Sequence, residues 1–256
     1  DKHEAKTPTV EEDLAKNRLI LDWCGYQPKP VPFNGVKREV FSINDLIPMI
    51  DWVYFYHAWT VKGGTQEGLK LQEDAISLLN KIKREFKVAT VANLGFFKAK
   101  SDTNGIALET EAKSLYINPP RQKASSEHKP NLALCDFVCP TGDNVGAFAV
   151  TLSAELREYY EQEKSQDDTY QAMLLQTVLD RLAEATSAAL HSKYNWDKIR
   201  PAVGYPSLAS QKAIFKLAQI LDFEELGISL TETGAMYPQA SVAGLYISHP
   251  EAKYFG

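Results

Sequence analysis

The chain has 256 residues, 44% of them hydrophobic and 24% charged, with a net charge of −5. These are ordinary values for a globular protein that buries its core without disulfides or a structural metal. A mildly acidic balance gives no electrostatic reason to seek nucleic acid or an anionic membrane, and an odd count of three cysteines argues against a disulfide framework.

Residues 1–16 are polar, lack the apolar centre of a secretory signal and read as a mobile leader. The run LILDWCGYQPKPVPF turns apolar and proline-rich, which predicts an extended segment. Ser42 followed three residues on by Asp45 is a capping box that opens a short helix, SINDLIPMIDW, limited by Pro48. Leu69, Leu71, Ala75, Ile76, Leu78, Leu79, Ile82 and Phe86 repeat at helical spacing and predict a helix over 66–86. KVATVANLGFF reads as a strand that pairs with GIALET across the polar turn SDTNG. After a loop at 119–130, two more strands are expected, NLALCDFVC and NVGAFAVTL.

From Ser153 to about His191 the pattern is helical, broken near KSQDD, with Tyr170, Met173, Leu174, Val178, Leu182, Ala185 and Ala189 as the apolar stripe of the second half. SLASQKAIFKLAQILDF predicts a further helix, followed by strands GISLTET and SVAGLYIS joined through AMYPQA. Strands that arrive in adjacent pairs between helical blocks favour an α+β fold with a largely antiparallel sheet. No composition shift marks a boundary, so one domain over 1–256 is expected.

The sequence holds no GxGxxG, no phosphate loop, no HExxH and no GxSxG elbow. Its five histidines are scattered, which predicts no clustered metal site. His191 reads as a helix-end residue and His57 as a packed neighbour of aromatics. Cys135 and Cys139 lie four apart in a strand-like run and read as structural thiols. No apolar run is long enough to span a bilayer, and a cytoplasmic protein is expected.

The most informative residues lie after Ile199. IRPAVGYP at 199–206 contains an R-x-x-x-G-Y signature, and TETGAMYPQASVAGLYISHPEAKYF follows at 231–255. Upstream stand IDW at 50–52, CDFVCP at 135–140, VGAFAVT at 145–151 and DRLAEA at 180–185. In this order, from about Asp22 to the end, the segments resemble the activation domain of cobalamin-dependent methionine synthase.

That resemblance implies an α+β fold, a C-shaped body around a twisted antiparallel sheet with flanking helices. It implies that S-adenosylmethionine is held in a shallow groove and that its methyl group is presented for reductive remethylation of cob(II)alamin. A flavodoxin-type reductant would supply the electron. Cobalamin would be bound by a partner module, because this sequence has no D-x-H-x-x-G motif, either in cis in a longer protein or in trans. The isolated chain is then not expected to make methionine.

The implied site residues are Asp51, Arg200, Ala202, Gly204, Tyr205, Tyr254 and Phe255. A forked guanidinium at Arg200 suits a ligand carboxylate, and Asp51 suits the ammonium or sulfonium. Gly204 allows close backbone approach, the Ala202–Tyr205 backbone suits the adenine edge, and Tyr205 and Tyr254 each offer a ring and a hydroxyl. Asp51 serves equally well as a helix-end hydrogen bonder, and His249-Pro250 as turn geometry. No catalytic acid–base pair and no metal ligand are expected, since the task is to orient a methyl group toward a strong nucleophile. Tyr194 stands where the family carries an acidic residue. That departure leaves open a docking module without ligand binding, beside a reactivator of another corrinoid methyltransferase.

Overall fold

The computed structural model describes residues 9–256. The part of the expected leader that falls within it is ordered: Thr9 caps helix α1 (Val10–Lys16) through a capping box with Glu12. The remainder of that leader lies outside the described residues. The proline-rich segment that follows is extended, and Arg18 bridges to Asn131.

The expected hairpin forms, its two strands pairing over residues 98–101 and 106–109, but the centre of the sheet is a different pair. Strand β2 (Thr90–Ser101) is paired along its length with β5 (Asp143–Leu152). On its other edge, β1 (Gly35–Phe41) pairs with residues 90–96 and β3 (Ile106–Glu109) with residues 98–101, so those two strands lie end to end. β4 (Ser114–Ile117) extends the sheet beyond β3, and β8 (Val242–Tyr246) pairs with β5; every pairing is antiparallel. GISLTET contributes only β6 (Ser229–Leu230), which pairs with β7 (Met236–Tyr237) inside the expected connector.

Helices cover both faces, which explains why β2 and β5 are apolar at nearly every position instead of alternating. Ala92, Leu94, Phe96, Phe148, Val150 and Tyr246 join α2 (Ile43–Leu46), α4 (Gln66–Glu85) and α6 (Thr169–Tyr194) in one core. Between them in the chain, α3 (Trp52–Ala58) and α5 (Ala154–Lys164) also pack on α6. Val91, Phe97, Val145, Ala147, Ala149 and Leu245 face the second core with α7 (Ala213–Ile220) and α8 (Phe223–Leu226). The α+β architecture with an antiparallel sheet and flanking helices is thus present.

Two local expectations are corrected. The helix SINDLIPMIDW is interrupted: the Ser42–Asp45 box forms, but α2 stops at Leu46, a short 3-10 turn follows at Ile47–Met49, and Asp51 caps α3. NLALCDFVC is not a strand, because Leu134–Phe137 form a 3-10 turn. Asp136 causes this turn. Its carboxylate accepts from the Ala133 N–H at 2.9 Å and pairs with Arg121 through two bonds of 2.6 and 2.7 Å. Cys135 is buried there, and burial pushes its thiol pKa up to about 12, which suits an inert structural thiol. Among the described residues no group of His, Cys, Asp and Glu could hold a metal ion, and no helix is long and apolar enough to cross a membrane.

The S-H-P turn closes on the extended N-terminal segment. The His249 ring stacks on Tyr26 at 5.3 Å and meets Trp23 edge-on at 5.0 Å. Its Nδ1 accepts from the Glu251 N–H at 3.0 Å, so the neutral imidazole fixes the turn. Burial lowers the His249 pKa, while the unfolded chain takes up the proton near the usual value of about 6.5. Stability should therefore fall as pH drops below that value and be unaffected by His249 above it. Urea denaturation near pH 7.5 and 5.5 checks this: His249→Asn should flatten the difference between the two conditions that the wild type shows.

Candidate functional site

The R-x-x-x-G-Y segment is fixed by β8. Ile199 and Ile247 exchange backbone hydrogen bonds at 3.1 and 3.2 Å, Leu245 N–H donates to the Pro201 carbonyl at 3.0 Å, and Val203 N–H donates to Ala243 at 2.9 Å. Residues 199–203 thus add an irregular antiparallel strand to the sheet. Gly244 permits this approach, since a Cβ there would lie 2.3 Å from the Pro201 oxygen.

Beyond Val203 the chain turns sharply at Gly204, whose φ of +91° is strained for other residues. Gly204 does not line the groove described below. The turn by itself gives a conformational reason for glycine at this position.

Between this strand, α6, the start of α3 and the C-terminal residues lies a groove of about 710 Å³. Arg181, Glu184 and Ala188 face it from α6, Met49, Asp51 and Tyr54 from the α3 entrance, and Arg200, Ala202 and Tyr205 from the signature segment. Tyr254, Phe255 and Gly256 complete it. Six of the seven expected site residues therefore converge on one concavity, and Gly204 stands behind it.

Arg200 is held by two hydrogen bonds. Its Nη1 donates to the Ser187 carbonyl of α6 at 3.1 Å, and its backbone N–H donates to the Tyr254 hydroxyl at 2.9 Å. Among the described residues no carboxylate lies within ion-pair distance of its guanidinium. A fork oriented by a helix carbonyl, with donors left over, is suited to an anionic ligand. The C-terminal residues are held by Ser207, which donates to the Phe255 carbonyl at 2.7 Å and accepts from its N–H at 2.8 Å. The Phe255 ring packs against Phe137 at 6.5 Å while the residue lines the groove.

Asp51 caps α3 by accepting from the Val53 N–H at 2.9 Å and also lines the groove, so the two readings of this residue coexist. The Tyr205 hydroxyl donates to Glu184 at 2.8 Å. Burial and the adjacent Glu184 carboxylate push the Tyr205 pKa up to about 12, so it stays a donor at neutral pH. Arg181 sits over the Tyr54 ring at 5.6 Å. The Ala202 N–H points away from β8 and has no partner among the described residues.

Tyr194 does not line the groove; its hydroxyl donates to Glu39, a carboxylate also paired with Lys193 at 2.7 Å. Asp197 is buried against His191 at 2.7 Å.

Sequence reasoning did not single out Glu184, Arg181 or Tyr54. The signal for the first two was present: residues 181, 184 and 188 share one helix face beside the apolar stripe of α6, within and just after the quoted DRLAEA segment.

A family model described as the activation domain of vitamin B12 dependent methionine synthase matches residues 42–198 and 192–256. Among solved structures, the chain is similar to the MetH reactivation domain crystallised with bound AdoHcy. The identity is 29% and the TM-score 0.86, over 97% of this chain and 89% of that one. On the strength of the matched segments and the shared architecture, this chain belongs to the family of vitamin B12 dependent methionine synthase activation domains.

Proposed function

We propose that the groove binds S-adenosylmethionine and presents its methyl group to a cobalamin held by a partner module, in cis or in trans, for reductive reactivation of methionine synthase. The observation that carries this reading is the Arg200 guanidinium, braced by Ser187 and exposed to the groove with donors to spare. The relative with AdoHcy bound supports it, because that compound is the ligand after loss of its methyl group.

The groove chemistry fits the parts of such a ligand. Arg200 takes the carboxylate as a fork, and Asp51 and Glu184 supply anions for the ammonium and sulfonium. The free Ala202 N–H, on a backbone fixed by β8, offers a donor to a ring-nitrogen acceptor on the adenine edge. Tyr54 and Tyr205 provide aromatic faces. A groove of about 710 Å³ lies within the usual range of roughly 300–1,000 Å³ for small-molecule sites. The chain's contribution is orientation: positioned donors hold the ligand while its methyl faces outward. The reductant in this reading is a flavodoxin-type protein, and the setting is the cytoplasm.

Tyr194 favours one second reading. With its hydroxyl turned to Glu39, it supplies no anion to the groove, as in a docking module that no longer binds the ligand. Calorimetric titration of S-adenosylmethionine into the purified chain separates the two. Saturable one-to-one binding is the expected result, and a folded chain with no detectable heat leaves the docking reading.

A further inference from the structure

On the side of the sheet away from the groove, β4 extends β3, but among the described residues no strand pairs with the outer edge of β1. Which groups of β1 face outward follows from the bonds of β2. Ser153 N–H donates to the Ala89 carbonyl at 2.9 Å in the register of β2 with β5. Asp102 N–H donates to the Gly105 carbonyl at 3.0 Å in the register of β2 with β3. Odd-numbered residues of β2 therefore turn their backbone groups to β5, and even-numbered ones to β1 and β3. Since Gly35 opposes Phe96 and Phe41 opposes Thr90, residues 35, 37, 39 and 41 are bonded inward. The N–H and C=O groups of Val36, Arg38 and Val40 point outward, and none meets another segment among the described residues.

The side chains along this edge have a two-fold pattern. Arg38 is the midpoint of Gly35–Phe41, flanked by Lys37 and Glu39 and then by Val36 and Val40. A second copy laid antiparallel and centred on Arg38 overlaps the whole strand. Val36 then opposes the second copy's Val40, and their outward backbone groups bond in pairs, as do those of the two Arg38 residues. Lys37 opposes the second copy's Glu39 at the non-hydrogen-bonded positions, where opposed side chains lie closest. Moving the centre one residue to either side sets two lysines or two glutamates against each other instead. The like charges at the centre are already compensated, because each Arg38 pairs with Glu225 of its own α8. Val36 and Val40 are 46% and 54% exposed, an apolar contact left open on a strand whose charges keep unmatched strands away.

We propose that β1 is a self-association edge: two copies of this chain join antiparallel about Arg38 into one continuous sheet, with Lys37 and Glu39 selecting the register. β2, β5 and β8 lie between β1 and the groove segment at 199–203, so each copy keeps its groove on the far edge. An interface this narrow belongs to the weak, transient class.

Sedimentation velocity of the full chain, loaded from about 5 to about 500 µM, tests this. The sedimentation coefficient should rise with concentration toward that of a dimer, and salt at about 1 M should weaken the association by screening the Lys37–Glu39 pairs. Lys37→Glu sets a carboxylate against Glu39, and Val40→Pro removes an outward N–H that the monomer does not use. Each should raise the dissociation constant about tenfold or more, with a melting temperature close to that of the wild type. Cross-linking reads the register without relying on either variant staying folded. With the exposed thiol removed by Cys24→Ser, Arg38→Cys should give a disulfide-linked dimer under oxidised glutathione, because residue 38 meets itself at about 5.5 Å between α-carbons. Val36→Cys should not, because it faces Val40. A monomer at every concentration overturns the proposal and leaves the edge to a strand of a different protein. A dimer that both variants leave intact, or equal cross-linking at 36 and 38, overturns it by placing the interface or the register elsewhere.

Discussion

Arg200→Ala should weaken S-adenosylmethionine binding by about a hundredfold, a loss of about 3 kcal/mol that is in the range expected when one partner of a charge-assisted contact is removed. The effect should exceed that of any other single groove substitution, because Arg200 is the groove cation whose donors remain unclaimed, whereas Arg181 is already engaged with the Tyr54 ring. Thermal stability should change little, since the lost side-chain bond to Ser187 joins a partly exposed group to a helix carbonyl. Arg200→Lys should recover only part of the affinity, as an ammonium keeps the charge but not the fork. Side-by-side calorimetry and melting curves check both statements. An alanine variant that binds as the wild type does would place the ligand's carboxylate elsewhere.

Asp136→Ala should cost about 3–5 kcal/mol of stability, which in a chain of this size lowers the melting temperature by about ten degrees. The Arg121–Asp136 pair is 5% and 4% exposed, so removing the carboxylate leaves a charge that water cannot reach. The same carboxylate holds the 3-10 turn through the Ala133 N–H, and Arg121 also donates to the carbonyls of Thr103 and Asn131 at 2.9 and 2.8 Å. Replacing both partners, Arg121→Met with Asp136→Leu, should cost less than Asp136→Ala alone, because no unpaired charge remains. Neither residue lines the groove, so ligand affinity measured well below the melting temperature should move far less than in Arg200→Ala.

What could be read in the sequence depended on how local its cause was. Helix α4 announced itself through an apolar stripe, and the Ser42–Asp45 box is realised as written. β2, β3 and β5 were legible as apolar runs bounded by turn residues. β1 was not: GVKREVF is mostly exposed, so no buried alternation marks it, and β4 is only four residues long. The misread segment 131–139 has strand-like apolar content, yet its geometry is set by Arg121, ten residues or more upstream, which a local pattern does not reveal. In the groove, Arg200, Ala202, Tyr205, Tyr254 and Phe255 were legible through a motif resemblance, not through spacing. Glu184 and Arg181 were passed over because charged residues beside a helix stripe ordinarily face solvent. Only the packing of residues 199–206 across α6 makes that flank a wall. Gly204 was picked out through the same motif, and its positive φ adds a conformational demand that the motif alone does not state.

The pairing of β5 with β8 also bears on how the chain is made. Residues 146–150 wait for residues 242–246, a gap of about ninety residues that a ribosome working at roughly 5–20 residues per second needs several seconds to cover. During that interval β5 presents an open edge, and both of its faces are apolar, the kind of strand that recruits foreign strands. The segment that ends this exposure also supplies the backbone partners of residues 199–203, and so places Arg200 at the groove. The groove is therefore completed and the open edge closed in the same step of synthesis, and substitutions that delay β8 should appear first as aggregation of nascent chains.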